Sequence, residues 1–458
     1  MQALSQDLET LTKMSMENAS FFMKTACLIA EFNPFHRGHK YLIDRAKDLT
    51  GCDHLAVLMS GDFVQRGTPA LISRETRAEI ALRNGADIVF AYPSRYAASS
   101  AESFASFAVR LLDGTGIGSA LVFGSECGEI APLKNAAEVL LEETGLSPLQ
   151  AQTGAGPDSA SSVSVHLKEG HSYPKALSLS YPDLAPVLNG ANNTLAIAYL
   201  KALITQKSPL IPCTLRREGP GHDSRALEEY ASSSVIRSYI LDSFREADRP
   251  GALPAELSET ASAGSPTPEK FRRALETALP PEGLDLLLSE LYDCGPADES
   301  LLDELLISAL FKLTSPRDLL SYDDVSPDLA NRIFDNRYAC RGFSDFVAFL
   351  KNKAMIRSRL NRVLLHIALD IKKEDQAAAP LYLHVLGCRR ESLSLLSELS
   401  EKASLPVITG HSDAMKKLTG PALSLYLEEV RLTNLYEALR HKKKTGFLPC
   451  ESQKLILV

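Results

Sequence analysis

The stretch ACLIA at residues 26–30, followed by EFNPFHRGH at residues 31–39, decides the fold of this 458-residue chain. Residues 26–30 are all apolar, as expected of a strand that is buried on both faces of a parallel sheet. The loop then carries a proline, a glycine and two histidines, and a helical pattern runs from about Gly38 to Leu49. A buried strand, a short loop and a helix in this order predict the first unit of a doubly wound α/β sheet.

The same alternation continues along the next 90 residues. Short apolar runs predict three further strands, at residues 54–59, 87–91 and 119–123. Helical patterns occupy residues 73–84 and 101–112 between them. Strands and helices that alternate at this spacing predict a parallel sheet with helices on both faces, which is a Rossmann-like fold.

The second half of the chain has a different pattern. Pro, Ala, Ser and Gly dominate residues 249–268, which is typical of a linker. The chain is then mostly helical, and Leu381 to Ile408 returns to strand, helix and strand, which predicts a small α/β appendage. We predict an N-terminal extension without assigned function at 1–22, a ligand-binding α/β domain at 23–248, a linker at 249–268, a basic helical domain at 269–378 and a small α/β region at 379–458.

Composition excludes several classes of protein. The chain is 45% hydrophobic and 23% charged, as ordinary globular proteins are. Its eight cysteines are scattered without a C-x-x-C pair, which predicts reduced thiols in a cytoplasmic protein. No apolar run approaches the roughly 20 residues that span a bilayer, so we expect no membrane partner. The net charge of −8 argues against nucleic acid as a partner only if the charge is evenly spread.

The loop at residues 31–39 is a candidate anion site. It lies where open α/β sheets bind ligands, and the N–H groups at a helix start favour negative charge. Gly38 would let a phosphate approach the backbone closely. His36 and His39, protonated or donating, would stabilise charge on an α-phosphate and on leaving pyrophosphate. The alternative for these residues is a capping histidine beside a solvated one.

These residues resemble a known group of enzymes. N-P-F-H-R-G-H after a first strand is similar to the H-x-G-H signature of the nucleotidyltransferase superfamily, whose members attack the α-phosphate of ATP and release pyrophosphate. Their second signature is of the I-S-S-T-x-I-R type, and this chain has A-S-S-S-V-I-R at residues 231–237. The resemblance implies that Ser233, Ser234 and Arg237 hold the β- and γ-phosphates.

Further motifs narrow the resemblance. M-S-G-D-F-V-Q-R-G-T-P-A at residues 59–70, F-G-S-E at 123–126, G-H-S-Y-P-x-A at 170–176 and R-R-E-G-P-G-H-D at 216–223 follow in order. Together they resemble the bacterial tRNA(Met) cytidine acetate ligases. That family adenylates acetate with ATP and passes the acetyl group to N4 of the wobble cytidine of elongator tRNA(Met). The resemblance implies ATP with Mg²⁺ as cofactor, and acetate and elongator tRNA(Met) as partners; it leaves the oligomeric state open.

The resemblance also implies a set of ATP-binding residues. They are Ile29, Ala30, Glu31, Phe32, Asn33, Pro34, Phe35, His36, Arg37, Gly38, His39, Lys40, Tyr41, Leu42, Gly124, Asn192 or Asn193, and Arg216 or Arg217. Arg217 is preferred because it directly precedes the E-G-P-G run, and Arg37 would add a cation beside the phosphates. We assign Arg66 to the acetate carboxylate or a phosphate, the alternative being a tie to loop carbonyls. Asp62 is a weaker candidate, either for contact with magnesium or as a loop cap. We assign no residue as a metal ligand.

A basic segment lies inside the acidic chain. Residues 332–373 contain ten basic and three acidic residues, a net charge of +7, with aromatic residues between them. Such a segment favours contact with an RNA backbone over a merely solvated face. The residues predicted to bind tRNA are Lys351, Lys353, Arg357, Arg359 and Arg362.

Two other functions remain open from the sequence. A small-molecule adenylyltransferase of the nucleotide or phosphopantetheine type would share the H-x-G-H loop, but it would not need the basic helical segment. A non-catalytic RNA-binding protein could retain an ATP-binding fold, although the intact histidine pair argues against that.

Overall fold

A computed structural model describes residues 24–143, 163, 165–166, 169, 173–188, 190–217, 227–247, 268–352, 355–373, 381–441 and 447–458. The predicted N-terminal extension, nearly all of the predicted linker and Lys353 lie outside the described residues. So do the E-G-P-G-H-D residues at 218–223 and the first three residues, 170–172, of the motif at 170–176.

The centre of the molecule is one mostly parallel sheet. Its strands run in the order β10-β8-β5-β2-β1-β6-β7, with β9 beside β8, and β3 and β4 form a separate hairpin. The strands are β1 (Thr25–Ala30), β2 (His54–Ser60), β3 (Phe63–Val64), β4 (Thr68–Pro69), β5 (Ile88–Tyr92), β6 (Gly118–Ser125), β7 (Ile211–Arg216), β8 (Leu383–Cys388), β9 (Val407–Ile408) and β10 (Ile456–Leu457). The four strands predicted first are β1, β2, β5 and β6, so the predicted doubly wound sheet is confirmed.

Helices cover both faces of this sheet and form a further layer. Those in the first half are α1 (Arg37–Thr50), α2 (Arg74–Arg83), α3 (Ser94–Ala97), α4 (Ala101–Gly114), α5 (Ile130–Glu143), α6 (Tyr173–Ser180), α7 (Ala185–Leu188), α8 (Ala191–Gln206) and α9 (Ser233–Ala247). Those in the second half are α10 (Pro268–Ala278), α11 (Pro281–Cys294), α12 (Asp303–Phe311), α13 (Pro327–Asn336), α14 (Phe343–Leu350), α15 (Arg357–Leu369), α16 (Ser394–Lys402), α17 (His411–Lys417) and α18 (Gly420–Arg440). The described helices include none with the length and apolar character that crossing a membrane requires.

Successive side chains of each strand enter opposite faces of the sheet. On β1, Cys27 packs into a core with α4 and α8, whereas Ala26 and Leu28 pack into a second core with α2, α10 and α11. Both sets are fully buried, as the unbroken apolar run predicted. A third core lies between helices α12 to α15 and is built largely of leucine and phenylalanine.

The domain boundary predicted at residue 269 does not separate one hydrophobic core from another. Helices α10 and α11 belong to the predicted helical domain, but Phe271, Leu275 and Leu287 pack into the second core against the sheet. Amphipathic periodicity identifies an apolar face without telling which surface covers it, and this explains the difference.

The predicted C-terminal appendage is part of the central sheet. Strand β8 pairs antiparallel with β5, with Phe90 opposite Val385, and β9 and β10 pair with β8. The strand, helix and strand predicted over 381–408 are present as β8, α16 and β9. The prediction of a separate region at 379–458 is therefore corrected: these strands extend the sheet beyond β5.

Candidate functional site

The histidine loop connects β1 to α1 and is ordered by its own side chains. His36 is the N-cap of α1, and its Nδ1 accepts the N–H of Gly38 at 3.1 Å. The N–H of His36 in turn donates to Nδ1 of His39 at 3.3 Å. The two imidazole rings stack with their centroids 3.7 Å apart. The H-x-G-H spacing thus forms a reciprocal cap in which each Nδ1 is occupied by a backbone donor.

These contacts decide the charge of the pair. Burial lowers the pKa of His36 to about 3, helped by Arg217 and Arg237. Burial also lowers the pKa of His39 well below its usual value, helped by His36 and Arg217. A neutral imidazole whose Nδ1 accepts a hydrogen bond carries its proton on Nε2. Of the two forms that the sequence left open, the structure favours neutral rings that donate through Nε2–H.

We expect both rings to stay neutral in the folded protein around pH 6.5, where a free imidazole titrates, because burial lowers the pKa of His36 to about 3 and that of His39 well below its usual value. Imidazole ¹⁵N–¹H correlation spectra should show no titration of His36 or His39, whereas urea-unfolded protein should titrate near 6.5. The unfolded chain then binds protons that the folded chain does not, so these groups lower stability as pH falls below about 6.5. Titration of either ring near pH 6.5 in the folded protein would contradict the assignment.

The second predicted signature lies beside the first loop. Arg237 on α9 donates to the carbonyl oxygen of Asn33 at 2.6 Å and to Oγ of Ser234 at 3.3 Å. Arg66 donates to the same Ser234 Oγ at 3.0 Å. Ser233 is the first residue of α9, so Ser233 and Ser234 both lie in the first turn of this helix, beside the histidine loop. The fold therefore brings two segments 200 residues apart to the carboxyl edge of β1.

Arg217 completes a group of three cations. It follows β7, and its N–H donates to the carbonyl oxygen of Ser125 at 2.9 Å. Burial lowers the pKa of both Arg217 and Arg237, and repulsion by Arg66 lowers each further. A group of guanidinium cations in which Arg66 repels the other two favours an anion between them, and planar forks suit phosphate or carboxylate. The field of Arg217 reaches the histidines, whereas the Cβ of Arg216 lies beside Gly128.

The end of β6 supplies open space beside these groups. A Cβ at Gly124 would meet nothing within 4 Å, so the strand end leaves room for a flat ligand. The asparagine pair lies at the start of α8 next to it. Asn193 is buried, and its Oδ1 accepts the N–H of Glu126 at 2.9 Å, while the Asn192 amide donates to Glu126 Oε1 at 2.7 Å.

The asparagine pair and Glu126 therefore brace the F-G-S-E loop. Burial alone would raise the pKa of Glu126, but the N–H groups and side chain at Asn192, with the N–H of Asn193, outweigh it and lower the pKa. This places a stable carboxylate at the start of α8, where the helix dipole favours negative charge. A ligand contact by either asparagine stays a prediction.

The remaining residues of the first loop are mostly structural. Phe32 has a φ of 47°, and its ring lies edge-on to His39, with centroids 5.0 Å apart. Asn33 Oδ1 accepts the N–H of Leu71, and Glu31 Oε1 accepts the N–H of Gln65. The buried rings of Phe32 and Phe35 pack against each other with centroids 4.8 Å apart. Ile29, Ala30, Pro34, Tyr41 and Leu42 line the strand end, the loop and the first turns of α1, where all but Pro34 are half-buried.

Two cations of the predicted ATP set do not point at the site. Arg37 donates to the carbonyl oxygens of Glu276 and Thr277 at 3.0 and 2.9 Å, so it caps the end of α10. Lys40 pairs with Asp44 one turn along α1. The expectation that Arg37 adds a cation beside the phosphates is corrected, since helix α10 packs against α1 and offers free carbonyls there.

Buried arginines are the main feature that the sequence did not reveal. Arg77 on α2 is fully buried and donates to the carbonyl oxygens of Glu31 at 2.7 Å, Ser60 at 3.0 Å and Ile72 at 3.2 Å. It joins the carboxyl ends of β1 and β2, on which the site is built. An arginine in a helix ordinarily indicates a solvent-facing position, so no local pattern distinguished it.

The basic segment is divided between solvent and interior. Lys351 and Arg357 are exposed. Arg359 pairs with Asp324 at 2.9 Å, and Arg362, which is 8% exposed, lies 3.7 Å from the same carboxylate. The burial of Arg362 on α15 does not favour the prediction that it binds tRNA, and contact of RNA with Lys351, Lys353, Arg357 and Arg359 stays a prediction.

A metal site is not assigned to protein side chains. Asp62 is 1% exposed, and its two oxygens accept the N–H of Arg74 at 3.1 Å and the hydroxyl of Thr433 at 2.9 Å, so it is a cap. Within the described parts of the chain, no three His, Cys, Asp or Glu side chains are grouped to hold a metal ion.

Known proteins resemble this arrangement closely. The crystal structure of Thermotoga maritima TmcAL bound with α-thio ATP superposes with a TM-score of 0.77 and 26% identity, covering 95% of this chain and all of that chain. The apo crystal structure of the same protein gives a TM-score of 0.79 at 25% identity.

Sequence comparison identifies the family. The tRNA(Met) cytidine acetate ligase of Thermoanaerobacter sp. (strain X514) is 32% identical over 419 residues, covering 89% of this chain and 94% of that protein. That of Acetivibrio thermocellus is 31% identical over 430 residues, covering 90% and 94%. The family model described as HIGH Nucleotidyl Transferase matches residues 23–447. The chain belongs to the HIGH nucleotidyl transferase family and, within it, to the family of the tRNA(Met) cytidine acetate ligases.

Proposed function

We propose that this chain is an ATP-dependent ligase that adenylates acetate and transfers the acetyl group to N4 of the wobble cytidine of elongator tRNA(Met). The observation that carries the proposal is the pair of neutral Nε2–H donors, His36 and His39, beside a group of three arginines in which Arg66 repels the other two. The relatives that bear this name support the substrates, and the fold shared with the ATP-analogue complex supports ATP.

The first step is attack of an acetate oxygen on the α-phosphorus of ATP. A phosphorus–oxygen bond forms to acetate, and the bond to the β,γ-pyrophosphate breaks. Negative charge builds on the α-phosphate and the leaving group, where preorganised donors lower the barrier. His36 and His39 donate there without giving up a proton, and Arg217 and Arg237 hold the leaving phosphates. Arg66 binds the acetate carboxylate or a phosphate, since a guanidinium matches both.

The second step consumes the mixed anhydride. N4 of cytosine attacks the acetyl carbonyl, an N–C bond forms, AMP leaves, and N4 gives up one proton. The cytosine must be unstacked for its amine to reach the carbonyl. All eight cysteines are free thiols, and the transfer does not require a thioester on any of them.

Magnesium fits this chemistry as a partner of the nucleotide. Mg²⁺ in such sites is often bound mainly by substrate phosphates and water, with few protein ligands. Glu31, the acidic residue of the loop itself, already accepts the N–H of Gln65 at 3.0 Å through its carboxylate. We therefore propose that Mg²⁺ enters on ATP and neutralises phosphate charge there.

The exposed start of α15 is the proposed RNA contact. Its first turn contains Arg357 and Arg359 and no acidic residue. A cation at a helix N-terminus opposes the helix dipole, so helix stability does not account for the exposed Arg357, whereas Arg359 pairs with Asp324. Contact with an RNA phosphate backbone would account for Arg357, because a bound cation releases counterions from the RNA. Elongator tRNA(Met) is a cytoplasmic substrate, and we propose the cytoplasm as the place of the reaction.

Arg357→Glu should weaken tRNA binding and reduce the slope of log affinity against log salt by about 1 or more, because a phosphate contact is lost. Pyrophosphate exchange should not change. Filter binding over a series of salt concentrations measures both quantities. Arg245→Glu on α9 is a suitable control, since Arg245 is exposed and pairs with Asp298. Unchanged tRNA affinity in Arg357→Glu would remove α15 from the RNA contact.

The proposed function is tested by ATP–pyrophosphate exchange with acetate, with and without tRNA, followed by nucleoside analysis of the tRNA. We expect exchange that depends on acetate and the appearance of N4-acetylcytidine only when ATP, acetate and tRNA(Met) are all present. Exchange with another acid or a phosphate ester, but not with acetate, would favour a small-molecule adenylyltransferase instead.

A further inference from the structure

Arg66 lies on a hairpin too short to hold its own position. Strands β3 and β4 have two residues each, and their pairs are Phe63 with Pro69 and Val64 with Thr68. An isolated hairpin of ordinary length is marginal in water, and this one is shorter. The position of Arg66, between these strands, must therefore be decided by what the hairpin packs against.

One face of helix α18 contacts the base of the hairpin. Glu429, Thr433 and Tyr436 are spaced at i, i+4 and i+7, so they lie on one side of the helix. The hydroxyl of Thr433 donates to Asp62 Oδ2 at 2.9 Å, and the Tyr436 hydroxyl donates to the carbonyl oxygen of Ala70 at 2.8 Å. These contacts reach the residue before β3 and the residue after β4.

Glu429, on the same face of α18, lies beside the end of β2. Its carboxylate accepts the N–H and the hydroxyl of Ser94 at 2.8 and 2.9 Å and lies 3.6 Å from Arg74. A Cβ at Gly61 would stand 2.6 Å from Glu429 Oε1. A side chain at Gly61, where β2 leads into the hairpin, would therefore displace the Glu429 carboxylate from these contacts.

Asp62 joins the two sets of contacts. Its Oδ1 accepts the N–H of Arg74 at the start of α2, and its backbone oxygen accepts the N–H of Ala70 at 2.8 Å. Oδ2 is left for Thr433. Every polar atom of this carboxylate thus connects the hairpin either to α2 or to α18, in a place that is 1% exposed.

We propose that the Glu429–Thr433–Tyr436 face of α18 positions Arg66 for the reaction, with Thr433 as a positioning residue that acts through Asp62. The inference rests on the proposed function, because it concerns the adenylation site. None of the three side chains contacts the histidine pair or the arginine group in the described structure, so an effect on ATP passes through the hairpin or through α2, and the Arg66→Ala background separates the two routes. The hydroxyl of Thr433 is the group to test, since valine removes it and keeps the shape.

The experiment compares Thr433→Val and Thr433→Ser in the full chain, each with Arg66 intact and in an Arg66→Ala background. We expect Thr433→Val to lose about tenfold in kcat/KM for ATP in acetate-dependent exchange, as for the loss of a hydrogen bond to a charged group. Thr433→Ser keeps the hydroxyl and should restore most of the activity. In the Arg66→Ala background, Thr433→Val should cause no further loss, because both changes disable the same contact.

Thr115→Val is the matched control. Thr115 is 1% exposed, and its hydroxyl donates to the carbonyl oxygen of Leu112 at 2.6 Å, at the amino edge of the sheet. The variant should unfold at a lower temperature with unchanged exchange. The inference is overturned if Thr433→Val lowers kcat/KM by the same factor in both Arg66 backgrounds. It is also overturned if Thr115→Val lowers kcat/KM as much as Thr433→Val does.

The proposed function and the inference can fail separately. Wild-type exchange with acetate tests the function alone. If that exchange is absent, direct titration of ATP, and of acetate with ATP present, into the same variants still decides the inference. A dissociation constant for either ligand that Thr433→Val raises only when Arg66 is present supports positioning, and two constants that it leaves unchanged overturn it.

Discussion

His39→Ala should lower the rate of acetate-dependent pyrophosphate exchange by about 10²–10³-fold, as loss of one preorganised donor does in other transition states. The variant removes the Nε2–H donor and also the acceptor for the N–H of His36, whose ring stacks on it at 3.7 Å. The loss should be mainly in kcat, because the interaction strengthens as charge develops. Binding of tRNA should not change, since the contacts proposed for RNA are on α15.

His411→Ala provides the comparison. His411 is half-buried at the start of α17, and its ring contacts the hydroxyl of Tyr426 at 3.3 Å, far along the sheet from the loop. Exchange should stay at the wild-type rate in this variant. If His39→Ala and His411→Ala lowered the exchange rate equally, the loss of a histidine would act through general stability. Simultaneous loss of tRNA binding in His39→Ala would place RNA at the same loop.

Arg74→Met should lower the free energy of unfolding by about 3–5 kcal/mol, which is typical when one member of a buried ion pair is removed. Arg74 is fully buried, with Glu75 at 2.8 Å, Glu429 at 3.6 Å and Asp62 at 4.0 Å. Methionine fills much of the volume but leaves three carboxyl groups without their cation. Urea denaturation at constant pH measures the loss.

Arg83→Met, at the other end of the same helix, tests whether the loss at Arg74 comes from burial or merely from removing a charge. Arg83 pairs with Glu79 at 2.7 Å, but its side chain is 46% exposed. An exposed pair contributes about 0–1 kcal/mol, so this variant should unfold almost as the wild type does. Losses of similar size in the two variants would contradict the importance of burial at Arg74.

Local sequence patterns predicted individual strands and helices, but not which strands pair with each other. The apolar run at residues 26–30 and the H-x-G-H spacing predicted β1, the start of α1 and an anion site, and the structure has the strand and the helix there. Chain order could not tell that β8 pairs with β5, because alternation predicts a strand without naming its neighbour. The same limit applied to α10 and α11, whose apolar faces cover the sheet.

Side-chain direction was the harder problem at the site. Arg37 and Arg217 are both cations near a glycine, yet one caps α10 and the other faces the histidines. Arg77 resembled a surface residue and instead donates to four backbone carbonyls. The roles of these residues depend on tertiary neighbours, which a single sequence does not show.

The pairing of β5 with β8 also has a consequence for how the chain matures. Phe90 lies opposite Val385, so roughly 300 residues must be made after one strand before its neighbour exists. At bacterial elongation rates of about 5–20 residues per second, the edge of β5 waits on the order of tens of seconds. Unpaired edges recruit other strands. The nascent chain is therefore most exposed to misassembly on the ribosome, and chaperone dependence should decline once β8 has emerged.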